Sequence, residues 1–189
     1  MLPLPVSSDG LAVMGQNFAL NMADHGFKVC VGNRSHAKVE ATVERAKAEG
    51  DLPIVGSDSP ADFCAKIATP RKIVLLVQAG KPVDLTIEAL LPHLEKGDLI
   101  IDGGNEWFPH QVRRSEELEK KGVMFIGMGI SGGEEGARNG PSLMPGGPKE
   151  AYDLIEPIIT KCSAKAGKNN DEPCTGYCGP IGAGNYVKM

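Results

Sequence analysis

The chain has 189 residues, with 20 basic and 24 acidic side chains and a formal net charge of −4. This length suits one domain of ordinary size, and an apolar share of 41% with a charged share of 23% excludes the disordered, collagen-like and coiled-coil classes. The mildly acidic balance predicts no nucleic-acid partner. No apolar run reaches the ~20 residues that span a bilayer, so no membrane partner is expected either.

The first nine residues are a poor candidate for a strand. Pro3 and Pro5 lack the N–H that a β-ladder requires, and Ser7-Ser8-Asp9 is typical of a turn. We therefore expect an atypical first strand, weak or missing, over residues 1–9.

A glycine-rich segment, Gly10-Leu-Ala-Val-Met-Gly15, leads into the first helix-patterned stretch. In a phosphate-binding turn, Gly10 would form the tight bend and Ala12 would keep the side chain small beneath a pyrophosphate. Gly15 would let the helix pack on the sheet with its N-terminal amides facing the phosphates. The segment predicts a dinucleotide site, with a structural loop as the alternative.

The next predicted strand ends at Asn33-Arg-Ser35, where an NAD site would carry an acidic residue. The Arg34 guanidinium cannot accept a hydrogen bond from a ribose hydroxyl, but it suits a 2′-phosphate. Ser35 adds a donor and is a candidate N-cap for the following helix. These residues favour NADP over NAD, with an exposed arginine and a simple cap as the alternative.

Short apolar runs alternate with amphipathic segments along most of the chain. The predicted strands are Lys28–Gly32, Lys72–Val77, Leu99–Asp102 and Val123–Gly127, and the predicted helices are Met14–Asp24, His36–Glu49, Pro60–Ala68, Val83–Leu94 and Pro109–Lys121. This alternation predicts an α/β, Rossmann-like doubly wound fold, with a mainly parallel sheet and helices on both faces. Ligands bind such sheets at the carboxyl ends of the strands.

Polar and glycine-rich segments fall at or near these predicted strand ends. Asp102-Gly-Gly-Asn105 offers flexible backbone and an amide, and Ser131-Gly-Gly-Glu-Glu-Gly-Ala offers a hydroxyl beside backbone amides at a helix start. Pro141-Ser-Leu-Met-Pro-Gly-Gly147 is predicted to be a tight loop. A helix cap or turn explains each segment alone, whereas their coincidence at one sheet edge indicates a substrate site.

Residues 163–182 are predicted to be loop with one short strand, and residues 182–189 resemble the opening turn of a helix.

The five cysteines are predicted to be free thiols. Cys30 lies in an apolar run, where cysteine behaves as a small hydrophobe, and the pair Cys174 and Cys178 has no second pair to complete a zinc site. No metal is therefore expected.

A reducing compartment is the simplest interpretation of the free thiols, and the first residues lack the features of a signal peptide. The expected compartment is the cytoplasm, with a plastid as the alternative.

Several segments are specific enough to compare with known families: Gly10-Leu-Ala-Val-Met-Gly-Gln-Asn17, Asn33-Arg-Ser35, Leu76-Val-Gln-Ala-Gly80, Ile101-Asp-Gly-Gly-Asn105, Gly129-Ile-Ser-Gly-Gly-Glu-Glu-Gly-Ala-Arg138, Gly140-Pro-Ser-Leu-Met-Pro-Gly-Gly147 and Val187-Lys-Met189. Together they closely resemble the decarboxylating 6-phosphogluconate dehydrogenase family of the pentose phosphate pathway. The resemblance implies an NADP-dependent oxidative decarboxylation of 6-phosphogluconate to ribulose 5-phosphate, CO2 and NADPH, catalysed in the family by homodimers.

The resemblance also implies roles for individual residues. The family's cofactor contacts fall on Gly10, Leu11, Ala12, Val13, Met14, Gly15, Asn33, Arg34, Ser35, Val77, Gln78, Ala79 and Asn105. Its substrate contacts fall on Asn105, Ser131, Gly132, Gly133 and Lys188. Lys188 matches the general base, which takes the proton from the substrate's 3-hydroxyl, and a pKa lowered by partial burial would suit that role.

Family members continue past the position of Met189 with a His, Asn, Glu and Tyr cluster, which includes the general acid, and then an all-helical domain. We therefore expect residues 1–183 to form the NADP-binding domain and residues 184–189 to begin the first helix of the helical domain. The 189-residue chain alone is expected to lack measurable dehydrogenase activity. Two alternatives remain open: an NADP-dependent 3-hydroxyacid dehydrogenase of the same superfamily, acting for instance on hydroxyisobutyrate, and a nucleotide-binding module without catalysis.

Overall fold

The computed structural model describes residues 6–189, and a large twisted sheet forms the centre of this part of the chain. Its strands are β1 (Val6–Asp9), β2 (Val29–Gly32), β3 (Ile54–Gly56), β4 (Lys72–Leu75), β5 (Leu99–Asp102), β6 (Met124–Ser131) and β7 (Ser142–Gly146). They lie in the order β3-β2-β1-β4-β5-β6-β7, and all neighbours are parallel except β6 and β7. The predicted mainly parallel, doubly wound α/β sheet is confirmed.

Helices cover both faces of this sheet. They are α1 (Val13–Asp24), α2 (His36–Ala48), α3 (Pro60–Lys66), α4 (Lys81–Leu90), α5 (Phe108–Glu119), α6 (Gly133–Asn139), α7 (Lys149–Cys162) and α8 (Ala183–Lys188), and a 3-10 turn spans Leu91–His93. One apolar core includes Phe18 of α1 and Ile155 of α7. A second core includes Phe63 of α3, Val83 of α4 and Leu118 of α5. Two cores on opposite faces are what the predicted layering requires.

The strands predicted from continuous apolar runs are confirmed. Every residue of β2 and β5 is buried, including Cys30, whose thiol pKa burial raises to about 12. Strands that are buried on both faces need no alternation of polar and apolar residues, which explains their unbroken apolar sequences. Cys30, Cys162, Cys174 and Cys178 are free thiols, as predicted.

The expectation of a weak or missing first strand is wrong for residues 6–9. Strand β1 occupies the middle of the sheet, where Val6 pairs with Val29 of β2 and Ser7 pairs with both Cys30 of β2 and Ile73 of β4. Ladder bonds from two neighbours override the turn preference of serine and aspartate, because strand preference depends strongly on context. Pro3 and Pro5 lie outside the described residues.

The segment predicted to be a tight loop at residues 141–147 instead contains strand β7. Its antiparallel pairing sets Pro145 opposite Met128 and Ser142 opposite Ser131. Strand β7 is the last strand in the sheet order, and a proline is tolerated at such a position because it need not donate to a second neighbour. Helix α6 begins within the segment predicted to carry a helix start, whereas helix α7 was not predicted. In residues 163–182, two short strands, β8 (Lys165–Ala166) and β9 (Glu172–Pro173), form an antiparallel ribbon in place of the single strand expected.

The parallel pairing places the carboxyl ends of β2, β1, β4, β5 and β6 along one edge of the sheet. The chain order reverses across β1, with β2 on one side and β4 on the other. A crevice at such a reversal is where open α/β sheets bind their ligands. Among residues 6–189, no helix combines the length and apolar character needed to cross a membrane.

Candidate functional site

The turn after β1 contains two glycines, and a residue with a Cβ could replace either of them only if neighbouring atoms moved. Gly10 has a φ of 97°, and a Cβ on it would lie 2.6 Å from the carbonyl oxygen of Leu76. A Cβ on Gly15 would collide with the carbonyl oxygen of Gly10, so helix α1 packs directly on the turn. These contacts give the predicted roles of Gly10 and Gly15 a steric basis.

The N-terminus of α1 faces outward from this turn. Ala12 is the N-cap residue, its side chain makes no capping bond, and the first turn of the helix contains no acidic residue. Ala12 and Val13 are exposed, Met14 is half-buried and Leu11 is buried. The amides of a helix's first turn have no acceptors within the helix and carry a partial positive charge, so this end suits an anion.

The loop after β2 is bonded to the glycine turn through Asn33. Its side-chain oxygen accepts a hydrogen bond from the backbone N–H of Leu11 at 3.2 Å, and its amide nitrogen donates to the carbonyl of Ser35. Arg34 is exposed, and no carboxylate within residues 6–189 forms an ion pair with it. Ser35 occupies the predicted N-cap position of α2, but its hydroxyl makes no capping bond.

The loop after β4, residues 76–80 (the β4 loop), borders the glycine turn on the other side. A Cβ on Gly10 would lie 2.8 Å from Cγ1 of Val77, and Gln78 is exposed. Ala79 is half-buried, and Gly80, with a φ of 87°, is the N-cap residue of α4. The predicted residues Val77, Gln78 and Ala79 therefore lie across the glycine turn from the Arg34 loop.

The turn after β5, residues 103–107 (the β5 turn), meets helix α8. The ammonium group of Lys188 donates a hydrogen bond to the side-chain oxygen of Asn105. A Cβ on Gly129 of β6 would lie 2.8 Å from the Cβ of Lys188, so α8 rests closely on that strand. Burial lowers the pKa of Lys188, which is the direction that a general base requires.

Ser131, Gly132 and Gly133 lie at the end of β6, and all three are exposed. Gly132 and Gly133 have φ angles of 141° and 61°, so the chain bends sharply before α6. Glu134 and Glu135 occupy the first turn of α6 and oppose its positive end. The donors available to a ligand here are therefore the Ser131 hydroxyl and the amides of the bend. Because β5 and β6 are paired neighbours, Ser131 and Asn105 lie on the same edge of the sheet.

A buried ion pair behind the β4 loop was not predicted. One carboxylate oxygen of Glu106 accepts hydrogen bonds from the Gly80 N–H at 2.8 Å and from Nη1 of Arg114 at 2.6 Å. The other accepts from the Trp107 N–H at 2.9 Å and lies 3.0 Å from Nδ1 of His110. Burial alone would raise the pKa of Glu106, but these bonds lower it to about 2. Glu106 is therefore held as a carboxylate.

Asn185 was also missed. It is buried on α8, one turn before Lys188, and its amide nitrogen donates to the carbonyls of Glu106 at 3.0 Å and Gly104 at 3.3 Å. A spacing of three residues puts Asn185 and Lys188 on one face of a helix, which is the signal that could have identified it. For Arg114, the signal is its place in the buried stripe Gln111, Arg114 and Leu118 of α5.

Asp102 lies beneath the β5 turn and has no exposed surface. One of its carboxylate oxygens accepts from the Gly104 N–H at 3.1 Å, and the other lies 3.5 Å from Nη1 of Arg114. Burial raises the pKa of Asp102 to about 6. The end of β5 thus carries a carboxyl group whose charge changes near neutral pH.

Sequence comparison links the chain to one family. The family model described as the NAD binding domain of 6-phosphogluconate dehydrogenase matches residues 6–179. The chain is 54% identical over 187 residues to a decarboxylating 6-phosphogluconate dehydrogenase from Spinacia oleracea, covering 99% of the chain and 38% of that protein. It is 55% identical over 180 residues to a chloroplastic relative from Arabidopsis thaliana, covering 95% of the chain and 36% of that protein. The chain thus spans a little over a third of the length of these relatives.

Solved structures show the same likeness. The 6-phosphogluconate dehydrogenase of Plasmodium falciparum, solved in its apo form and in complexes with NADP+ and with 6-phosphogluconate, matches with a TM-score of 0.92 at 48% identity, covering 98% of this chain and 39% of that one. A 3-hydroxyisobutyrate dehydrogenase from Mycobacterium tuberculosis matches with a TM-score of 0.76 at 18% identity, covering 99% of this chain and 58% of that one. The second likeness extends to the fold alone.

Proposed function

Because the chain belongs to the family of 6-phosphogluconate dehydrogenase NAD-binding domains, we propose that it binds NADP and serves the oxidative decarboxylation of 6-phosphogluconate to ribulose 5-phosphate. The observation that carries the proposal is the exposed Arg34 on a loop that Asn33 bonds to the glycine turn. A cation at the end of β2, where an NAD site would carry a carboxylate, suits a ribose 2′-phosphate.

The residues around the sheet reversal fit a dinucleotide. In the proposed complex, Arg34 and Ser35 bind the 2′-phosphate, and the amides of residues 10–15 bind the pyrophosphate at the start of α1. The β4 loop and Asn105 would hold the other half of the cofactor, because they lie on the opposite side of β1 from the Arg34 loop. When bound, NADP supplies the acceptor for the hydride that leaves the substrate.

The substrate side of the proposal rests on Lys188. Its nitrogen takes the proton of the 3-hydroxyl, and partial burial favours the neutral amine that this step requires. Asn105, which accepts a hydrogen bond from Lys188, fixes the direction of the amine. Ser131 and the amides of Gly132 and Gly133 bind the substrate from the neighbouring strand end. The resulting β-keto acid loses CO2 to leave an enediol, which takes up a proton to become the ketone.

The compartment is part of the same proposal. The relatives include proteins named as chloroplastic and others without that description, and Cys30, Cys162, Cys174 and Cys178 of this chain are free thiols. We assign the protein to the cytosol or a plastid, where thiols stay reduced.

Calorimetric titration tests the substrate assignment. The chain is saturated with NADP and then titrated with 6-phosphogluconate and, separately, with 3-hydroxyisobutyrate. The proposal predicts heat of binding for 6-phosphogluconate and weaker or no binding for the smaller acid. Preferential binding of 3-hydroxyisobutyrate would replace the proposed substrate with that of the wider superfamily.

A further inference from the structure

We propose that Glu106 is a positioning residue that holds the β4 loop in one fixed geometry against the β5 turn, and so places the second half of a bound dinucleotide beside Asn105 and Lys188. This inference rests on the proposed function, because it concerns how two loops of the same site are held in place relative to each other. It assigns Glu106 and its partner Arg114 no contact with the ligand.

The first support is the way in which Gly80 is held. Its N–H donates to Glu106, and its carbonyl accepts from Nη2 of Arg114 at 3.0 Å. Arg114 and Glu106 are themselves joined at 2.6 Å, so the three residues form a closed ring of hydrogen bonds. The backbone on both sides of Gly80 is thereby fixed, directly after Val77, Gln78 and Ala79.

The second support is that the same residue holds the opposite side. The Trp107 N–H donates to the Glu106 carboxylate, which fixes the end of the β5 turn. The backbone carbonyl of Glu106 accepts from Asn185, which belongs to the helix that carries Lys188. One residue therefore touches the β4 loop with its side chain and α8 with its backbone.

The third support is energetic. The side chains of Glu106 and Arg114 are 3% and 2% exposed, and burying such a pair costs desolvation energy that an apolar pair would avoid. Arg114 also binds Asp84 at 2.8 Å, so its charge stays compensated on the outer side of the pair. A costly polar cluster located between two loops of the candidate site indicates a positioning role more than a stabilising one.

The geometry predicts which ligands should bind with an affinity that depends on Glu106 and Arg114. The Arg34 loop lies on the β2 side of the sheet reversal, whereas Gly80 and Glu106 lie on the β4 and β5 side. A whole dinucleotide spans both sides. The fragment 2′,5′-ADP occupies only the Arg34 side, so its affinity should not depend on Glu106.

The experiment measures the affinities of the 189-residue chain for NADP and for 2′,5′-ADP in the wild type and in Glu106→Gln. We expect Glu106→Gln to weaken NADP binding about tenfold, the effect of one lost charged hydrogen bond, and to leave 2′,5′-ADP binding unchanged. The matched control is His110→Ala, which removes another neighbour of the same carboxylate without touching Gly80 and should change neither affinity.

Arg114→Lys provides a second variant if Glu106→Gln fails to fold. It keeps the buried charge but replaces the two guanidinium nitrogens that reach Glu106 and Gly80 separately with a single nitrogen on a flexible stem. It should show the same selective loss. Unchanged NADP binding in the folded variants, or an equal loss for both ligands, would overturn the inference and leave the proposed function intact. Failure of the wild type to bind either ligand would overturn both.

Discussion

The side chain of Asn33 accepts a hydrogen bond from the backbone N–H of Leu11 at 3.2 Å. This bond crosses from the loop after β2 to the turn after β1, so the two segments proposed to bind the 2′-phosphate and the pyrophosphate are one connected unit. Asn33 is therefore expected to act on the whole dinucleotide, whereas its neighbour Arg34 is expected to act on the 2′-phosphate alone.

Replacing Asn33 with alanine should weaken NADP and NAD binding alike. The variant removes the acceptor for the Leu11 N–H and frees the glycine turn, which both cofactors use. We expect a loss of about fivefold to tenfold for each, in line with one hydrogen bond. Calorimetric titration measures both, and a loss confined to NADP would show that Asn33 serves the 2′-phosphate only.

Replacing Arg34 with alanine should weaken NADP binding by about tenfold to a hundredfold, because a charged hydrogen bond to phosphate is lost. NAD binding should not change. Lys47→Ala is the matched control, since it removes an equal charge from an exposed position on α2. An equal effect of both variants would mean that Arg34 contributes only to the general surface potential.

Replacing Gly15 with alanine should destabilise the domain by about 1–3 kcal/mol and impair NADP binding. The added methyl group would collide with the carbonyl oxygen of Gly10, so α1 must move away from the turn. Gly176→Ala is the control, because a Cβ there meets no atom within 4 Å. Urea denaturation gives both stabilities, and equal values would show that the turn has room to spare.

Asp98 and Glu95 offer a paired test of burial, because both bind Arg71 at the edge of the sheet opposite the site. Asp98 is 1% exposed and bonds the Arg71 guanidinium at 2.8 Å, whereas Glu95 is 67% exposed. Asp98→Ala should cost about 3–5 kcal/mol of unfolding free energy, and Glu95→Ala no more than about 1 kcal/mol. Chemical denaturation measures both costs, and similar values would contradict the assignment of a buried pair.

Asp102 predicts an unusual dependence of stability on pH. Burial raises its pKa from 3.8 to about 6, so the folded state binds a proton that the unfolded state releases between these values. Its contribution to stability is complete below pH 3.8 and is lost as the pH rises to about 6. The free energy of unfolding of Asp102→Asn, taken relative to that of the wild type, should therefore be higher near neutral pH than near pH 3.8.

Glu106 should behave in the opposite way. Its pKa is lowered from 4.5 to about 2, so its contribution to stability is present above pH 4.5 and disappears as the pH falls to about 2. The free energies of unfolding of Asp102→Asn and Glu106→Gln, each measured across this pH range and compared with the wild type, should therefore change with pH in opposite directions. Parallel pH profiles for both variants would contradict the two environments described for these carboxyl groups.

Much of the fold could be predicted because its signals are local. The bounds predicted for Leu99–Asp102 agree with β5 to the residue, since four buried residues lie between a polar turn and two glycines. Strands β1 and β7 could not be predicted in this way. The residues of β1 favour turns, and β7 contains a proline, so both depend on pairing with strands that are distant in the chain.

The residues of the candidate site likewise fall into those that local sequence signals identify and those that depend on distant parts of the chain. Gly10, Gly15 and Arg34 were identifiable because a close backbone approach or a charge at a strand end constrains the residue type itself. The pair of Glu106 and Arg114 was not, because its meaning comes from Gly80, which lies 26 residues before Glu106 in the chain. Asn185 likewise has a function only through the turn that it contacts.

The preference of the unmodified chain for NADP over NAD tests the central claim most directly. Both cofactors are titrated into the 189-residue protein under the same conditions, and the two dissociation constants are compared. The exposed Arg34 predicts that NADP binds at least about tenfold more tightly than NAD. Equal affinities, or no binding of NADP, would contradict the assignment of this sheet edge as an NADP site.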